Sequence, residues 1–458
     1  MLEGGRLRDL STFIALNRFG LGAAPGDADE VGDDPRAWIA AQINRDWTLD
    51  APVGRAAAGV VAEMHGAAQE GPEALRVTAQ RLYGGVFWPE VFQRARHGIA
   101  TDWPFAERMA LFWSNHFTVS RTRALIGPAI PAYEREAIRP HVFGRFADML
   151  KAVCRHPCML TYLDNIVSIG PRSTVGQRRR ARDKTARTLN ENLAREILEL
   201  HTLGVNGGYG QQDVIELAKA ISGWSHGGFR PGQDPRPMHG EFEFTPMFHE
   251  PGPKVVLGKA YAEAGVDEGL AILSDLARHP ATARHLATKL VRHFVADDPP
   301  EAAVTEIADV FLSSDGDLAA VSRALIGLDA AWREPLPKVK NHYEFVLAVH
   351  RAVGNREPQA SDVIAPLRTL GQTPFAAPAP QGWGDTARDW IAPEALLRRI
   401  EWVRSFAGSL PQTFHPDRFL DDVIGPVASD VTREGVALAP SGDAAAALVL
   451  ASAEFQRR

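Results

Sequence analysis

The chain has 458 residues, of which 45% are hydrophobic and 23% charged, and its formal net charge is −6. That balance describes an ordinary globular protein of one large domain or a few average ones, and it favours neither a nucleic-acid binder nor a membrane-surface protein. Two cysteines, Cys154 and Cys158, exclude a disulfide framework, and no run of about 18 apolar residues is present to span a bilayer.

The first residues, MLEGGRLRDLSTFIALNRFGLGA, lack the apolar core of a secretory signal. As it stands the sequence reads as cytoplasmic, and export would require a leader already removed. Residues 24–34 read as a loop, and Pro35 opens a helix to Ile43. An Ala-rich helical stretch covers 56–83. Asp102-Trp103-Pro104 then opens a helix through FAERMALFWSNHF. On a wheel of about 100° per residue, Phe105, Met109, Phe112 and Trp113 share a face, with His116 in its middle. Asn115 falls elsewhere, near Arg108. A lone histidine on such a face is more often a satisfied core residue than a functional one.

Residues 133–141 are rich in Glu and Arg and read as a solvated helix face. Residues 157–164 form a short helix ending at Asp164. The run 168–188 reads as a loop holding GPRSTVGQRRRARDKTAR, a solvated segment or a basic lid over an anion through Arg178, Arg179 and Arg180.

Thr188 with Glu191 forms a capping-box pair, so the spacing predicts a helix from Leu189 to Leu203, stopped by Gly204. Leu189, Leu193, Ile197, Leu200 and Leu203 cluster on one face. Glu196 falls inside that face, with Asn192 and Glu199 on its edge, while Glu191 and Arg195 form a surface pair and His201 points elsewhere. A carboxylate in an apolar stripe is costly unless paired, protonated or metal-bound. A second helix starts near Gly210, with Val214, Leu217, Ala218, Ile221 and Trp224 as its apolar face, giving an αα-hairpin. Residues 225–258 are dense in Gly, Pro and His and read as a long loop with a small β-hairpin; His249-Glu250 is its most chemically able pair.

Helices resume over 266–278, 281–296, 301–313, 318–328 and 341–353. The Pro- and Gly-rich stretch 371–393 crosses the surface, with Trp383 and Trp390 as anchors. Helices over 393–406, 416–424 and 443–455 close the chain. No period-2 run is long enough for a large sheet. The expectation is an all-α, multi-helix fold with long Gly/Pro-rich loops and at most a small β-hairpin. It is one domain over 1–458, with two lobes, 1–260 carrying the site and 261–458 helical.

Several segments carry a family likeness: NRFGLGA (17–23), FWSNHF (112–117), PCMLTYLDN (157–165), NENLAREILELHTLGVNGGY (190–209), QDVIELAKAISGW (212–224), HPATARHLATKLVRHFV (279–295), GWGDTARDW (382–390) and LASAEFQRR (450–458). The chain resembles the bacterial domain-of-unknown-function family 1800 over nearly its whole length. The resemblance implies a mainly helical fold and no agreed reaction. It also implies frequent export and a companion family resembling sulfatases and phosphatases, hence work on envelope or extracellular polymers. Where the family usually shows His-Asp, this chain has His249-Glu250, which keeps a carboxylate.

Two functional readings compete. In the first the chain is a hydrolase, with Glu196 as acid or base, tuned by Glu199 or His116 and joined by His249. Asn192, Asn115, Arg195 and Trp224 are its ligand-binding candidates. Asp164, Asn192, Glu196 and Glu199 form an oxygen-rich set that suits Mg²⁺ or Ca²⁺ as a cofactor. In the second the chain is a non-catalytic helical scaffold whose buried polar network fixes helix register.

Overall fold

Proline and side-chain caps set most helix starts. Proline occupies the first turn of helices Pro35–Ala41, Pro72–Leu82, Pro104–His116, Pro157–Tyr162, Pro280–Phe294 and Pro393–Ala407. Asn341 caps His342–Ala352 by accepting from the Glu344 amide at 2.8 Å. A computed structural model describes residues 9–43, 54–185, 188–227, 240–410 and 415–458. Among the described residues the chain is all-α, as the helical periodicity predicts, apart from two two-stranded antiparallel sheets. Among the described residues no helix is long and apolar enough to cross a membrane.

One continuous hydrophobic cluster runs from Phe13 to Phe455. Phe19 stacks on Phe294 at 5.6 Å and on Trp332 at 5.2 Å, joining the N-terminal segment to later helices. Cys154 and Cys158 are free and buried within it.

Four expectations need correction. First, residues 133–141 are not a solvated face: Glu134 and Arg139 are buried. Arg139 donates to both oxygens of buried Glu107 at 2.8 Å and to Glu134 at 2.8 Å, and Arg94 pairs with Glu134 at 2.8 Å. Mutual pairing lets four charges enter the core, which a one-helix wheel cannot anticipate. Second, the basic run holds a helix, Thr174–Arg182, because the Ser173 side chain caps it by accepting from the Gly176 amide at 3.1 Å.

Third, the central helix starts late and changes pitch. Its α-helical part is Asn192–Glu196, followed by a π-helical turn, Ile197–His201. A π-turn inserts a residue, so every side chain after Glu196 is rotated relative to a 3.6-residue wheel. His201 is thereby buried, although the wheel points it away from the core. Fourth, Trp224 is not helical. Its helix ends at Ala220, Gly223 takes φ +81°, and Trp224–His226 pairs with Phe242–Phe244, Trp224 opposite Phe244. A second pair, Lys254–Val256 with Lys259–Tyr261, completes the β structure among the described residues. Part of the 225–258 loop lies outside the described residues.

Candidate active site

A cavity of about 610 Å³ opens between helix Pro104–His116, helix Pro280–Phe294, the start of helix His342–Ala352 and the 372–389 segment. That size suits a small molecule or the end of a chain. His285, Lys289 and His293 recur every four residues on Pro280–Phe294 and therefore share one face. Lys289 and His293 line the cavity with Arg292, and His116 lines it from the facing helix.

Lys289 Nζ lies 2.9 Å from His116 Nδ1, and His116 Nε2 lies 3.2 Å from the His201 carbonyl oxygen. An ammonium only donates and a carbonyl only accepts. His116 is therefore neutral, with its proton on Nε2 and a bare Nδ1 facing Lys289. Burial, reinforced by the Lys289 charge, holds His116 well below the ordinary histidine range. Burial likewise pushes His201 down to about 3 and His285 to about 4. Lys289 is thus ringed by imidazoles that carry no charge. Burial lowers Lys289 itself to about 8; Asp385 opposes the shift and Arg292 adds to it. Among the described residues no carboxylate forms an ion pair with Lys289.

The opposite wall is electrostatically closed. Asp385 Oδ2 sits 2.8 Å from His293 Nδ1, and Lys338 donates to the Asp385 carbonyl at 2.6 Å. Burial alone would raise Asp385, but His293, Lys338 and Arg458 outweigh it and hold the carboxylate well below its usual range. The side chain is still 31% exposed, so it faces the cavity as a fixed anion. His293 Nε2 is 3.4 Å from Arg108, which pairs with Glu344 at 2.8 Å, and Arg458 pairs with Glu344 at 3.0 Å. Asp389 accepts from the Thr386 amide at 2.9 Å. Each carboxylate in the wall is therefore already matched. Arg292 bonds through Nε to the Asp297 carbonyl at 3.2 Å, and no ion pair ties it to a carboxylate among the described residues. Lys289 and Arg292 leave the cavity with a cationic surplus.

The 382–384 backbone is clipped to the floor. Asn115 Nδ2 donates to the Trp383 carbonyl at 3.0 Å, and its Oδ1 accepts from the Trp383 amide at 2.8 Å. Gly382 makes this approach possible: its φ is +81°, and a Cβ there would lie 2.5 Å from the Asn115 carbonyl oxygen. Trp390 is buried against His342 and Trp383, which packs the rest of the loop down.

The family model described as Protein of unknown function (DUF1800) matches residues 14–457. The chain belongs to this family. No curated protein and no solved structure matches it. In this DUF1800 chain, the segments FWSNHF, HPATARHLATKLVRHFV, GWGDTARDW and LASAEFQRR, distant in sequence, supply His116, Lys289, Asp385 and Arg458 to one place.

The other residues singled out in the sequence lie apart from that place. Glu196 and Glu199 are half-buried and do not line the cavity. Burial and then the Glu199 charge raise Glu196, while Arg195 opposes; Tyr209 donates to Glu199 at 3.3 Å. Asn192 is exposed, Arg195 bonds Glu191 at 3.2 Å and Gln211 at 2.9 Å, and Asp164 pairs with Arg123 at 2.5 Å. No group of three or more His, Cys, Asp or Glu among the described residues is arranged to hold a metal ion. His249 is buried, with Nδ1 3.0 Å from the Ser222 carbonyl and Nε2 3.3 Å from Glu268, and Glu250 is buried against Arg172 at 2.6 Å. Both tie their loop to the second central helix and its neighbours. Trp224 is buried edge-on against Phe242. Asn115 and His116 alone among the named candidates line the cavity. Lys289, Arg292, His293, Asp385 and His201 are the residues that sequence reasoning passed over. The first and third were legible as a His-x-x-x-Lys-x-x-x-His stripe along one helix face.

Proposed function

We propose that the chain is an enzyme of the acid–base type that acts on an anionic substrate in this cavity. The observation that carries the reading is Lys289, a cavity amine whose partner is a neutral imidazole rather than a carboxylate. An amine pushed down to about 8 exists in both protonation states near neutral pH, which suits a group that gives and takes protons. Arg292 supplies the charge that orients an anion, and Asp385 repels it from the opposite wall. Hydrolysis is the version that needs no co-reactant beyond water: the neutral amine takes a proton from the attacking water and returns it to the leaving group. A specific observation favours a second reading, a binding protein without turnover: His293 is engaged at both nitrogens, so the Asp385–His293 pair offers no free base.

Turnover of phosphorylated, sulfated and carboxylated esters and glycosides by wild-type protein and Lys289→Met separates the two. The enzyme reading expects wild-type turnover that rises as pH approaches 8 and falls at least about a hundredfold in the variant. Equal turnover in both proteins would remove Lys289 from the reaction. Saturable anion binding without turnover would leave the binding reading.

A further inference from the structure

Lys289 is unlike the other lysines of the chain. Of eight lysines it is the one that lines the cavity. Lys219, Lys254 and Lys259 pair with Glu216, Glu268 and Asp275 at 2.6, 2.7 and 2.6 Å. Lys338 pairs with Asp297, and Lys340 donates to the Phe455 and Arg457 carbonyls at 2.7 and 2.8 Å. The carboxylate contacts hold an ammonium, and Lys340, which burial also pushes well below the ordinary lysine range, spends its hydrogens on backbone carbonyls away from the cavity. The contact of Lys289 does not require the charge: a neutral amine that donates one N–H to His116 Nδ1 keeps that bond and has its lone pair free for another partner.

A desolvated amine beside a neutral base is also the arrangement of an activated nitrogen nucleophile. We propose that Lys289 condenses reversibly with a carbonyl compound bearing an anionic group, in its smallest form a 2-oxo acid, with Arg292 pairing the anion. The inference rests on the cavity being the reactive site, and it names the class of substrate that site would take.

The step balances without an oxidant or reductant. The amine lone pair attacks the carbonyl carbon, forming the C–N bond, and the carbonyl π pair moves to oxygen. The proton passes from nitrogen to oxygen, which becomes a hydroxyl, while His116 Nδ1 at 2.9 Å holds the nitrogen in place through its other N–H. The nitrogen lone pair then expels that oxygen as water, which carries away the two amine protons and leaves the imine. Addition of water reverses the sequence.

Reductive trapping tests this in the full-length protein. Wild-type chain is incubated with glyoxylate and cyanoborohydride, and the adducts are mapped by peptide mass spectrometry. A parallel arm measures the thermal shift produced by glyoxylate alone. The expected result is an adduct at Lys289 forming at least about tenfold faster than at exposed Lys184 and Lys259, and lost in Lys289→Met. The comparison is internal to wild-type protein and does not depend on a variant folding. Labelling of Lys289 no faster than of Lys184 and Lys259 overturns the proposal. If glyoxylate raises Tm but Lys289 stays unmodified, the imine is wrong and the anion site stands. If there is neither shift nor adduct, both fail.

Discussion

Lys289 is a cation placed where the fold gives it no counter-ion. An ammonium removed from water without a carboxylate costs free energy, and the fold sheds part of that cost by letting the group lose its proton. The linkage has a definite sign. The folded value is about 8 and the unfolded one 10.5, so between those pH values the unfolded chain binds more protons. This group therefore depresses stability below pH 8, and the penalty is relieved as pH rises to 10.5. Lys289→Met is expected to be more stable than wild type at pH 7 by on the order of 1 kcal/mol, a figure kept small because the cavity opens to solvent. The gap should narrow steadily from pH 8 toward 10.5 in chemical denaturation, and a gap that widened would contradict the assignment. Glu196 gives the opposite test. Its side chain is half-buried beside Glu199 and away from the cavity, so Glu196→Gln removes a like-charge contact. Turnover within about twofold of wild type and unchanged or slightly higher stability are expected. A loss of turnover comparable with that of Lys289→Met would move the reactive site to the central helix.

Among the elements, the loop that closes the cavity is fastened at both ends, at Asn115 and at His293 and Lys338. Asn115 holds Trp383 through two hydrogen bonds, at 3.0 and 2.8 Å. Asn115→Ala is expected to cost about 1–3 kcal/mol and to raise amide exchange over residues 382–389; exchange unchanged there would show that Trp390 and the Asp385 contacts hold the loop without Asn115. The elements also show how far the sequence could be read. Asp102-Trp103-Pro104 located the start of the Pro104–His116 helix, and helical periodicity placed Pro280–Phe294 to within two residues, because both signals act locally. The π-turn at Ile197–His201 left no comparable mark. It rotated His201 into the core beside His116, where a regular wheel does not put it. The Asp385 loop was read as surface packing through its tryptophans. Its carboxylate gains meaning only from His293 and Lys338, which no local pattern connects to it.

For the molecule as a whole, the all-α class was legible because helical periodicity recurs along the chain while period-2 alternation does not. The interior charges were not legible, since Glu107, Glu134, Arg94 and Arg139 offset one another only once three segments meet. Arg139→Met would strand Glu107, both of whose oxygens it satisfies, at an expected cost of about 3–5 kcal/mol in urea denaturation. Buried histidines give a second global signature. His65 and His285 are held down to about 4, and His201 and His342 to about 3, by burial first in each case. The unfolded chain binds more protons on these groups below about 6.5, so stability falls as pH drops from there toward 4. Below about 4.5 the loss continues as Glu134 and Glu344, both held to about 2 by arginines that outweigh burial, begin to bind protons in the unfolded chain. A Tm that falls progressively from pH 7 to 4 is expected, and a flat profile would contradict the buried neutral imidazoles.

The central claim concerns one amine and can be measured on it. In protein labelled with ¹³C at lysine Cε, the resonance absent from Lys289→Met reports Lys289 directly. The account predicts a midpoint near 8 that moves upward when an anion occupies the cavity. A midpoint with the ordinary lysines near 10.5, unmoved by anions, would contradict it.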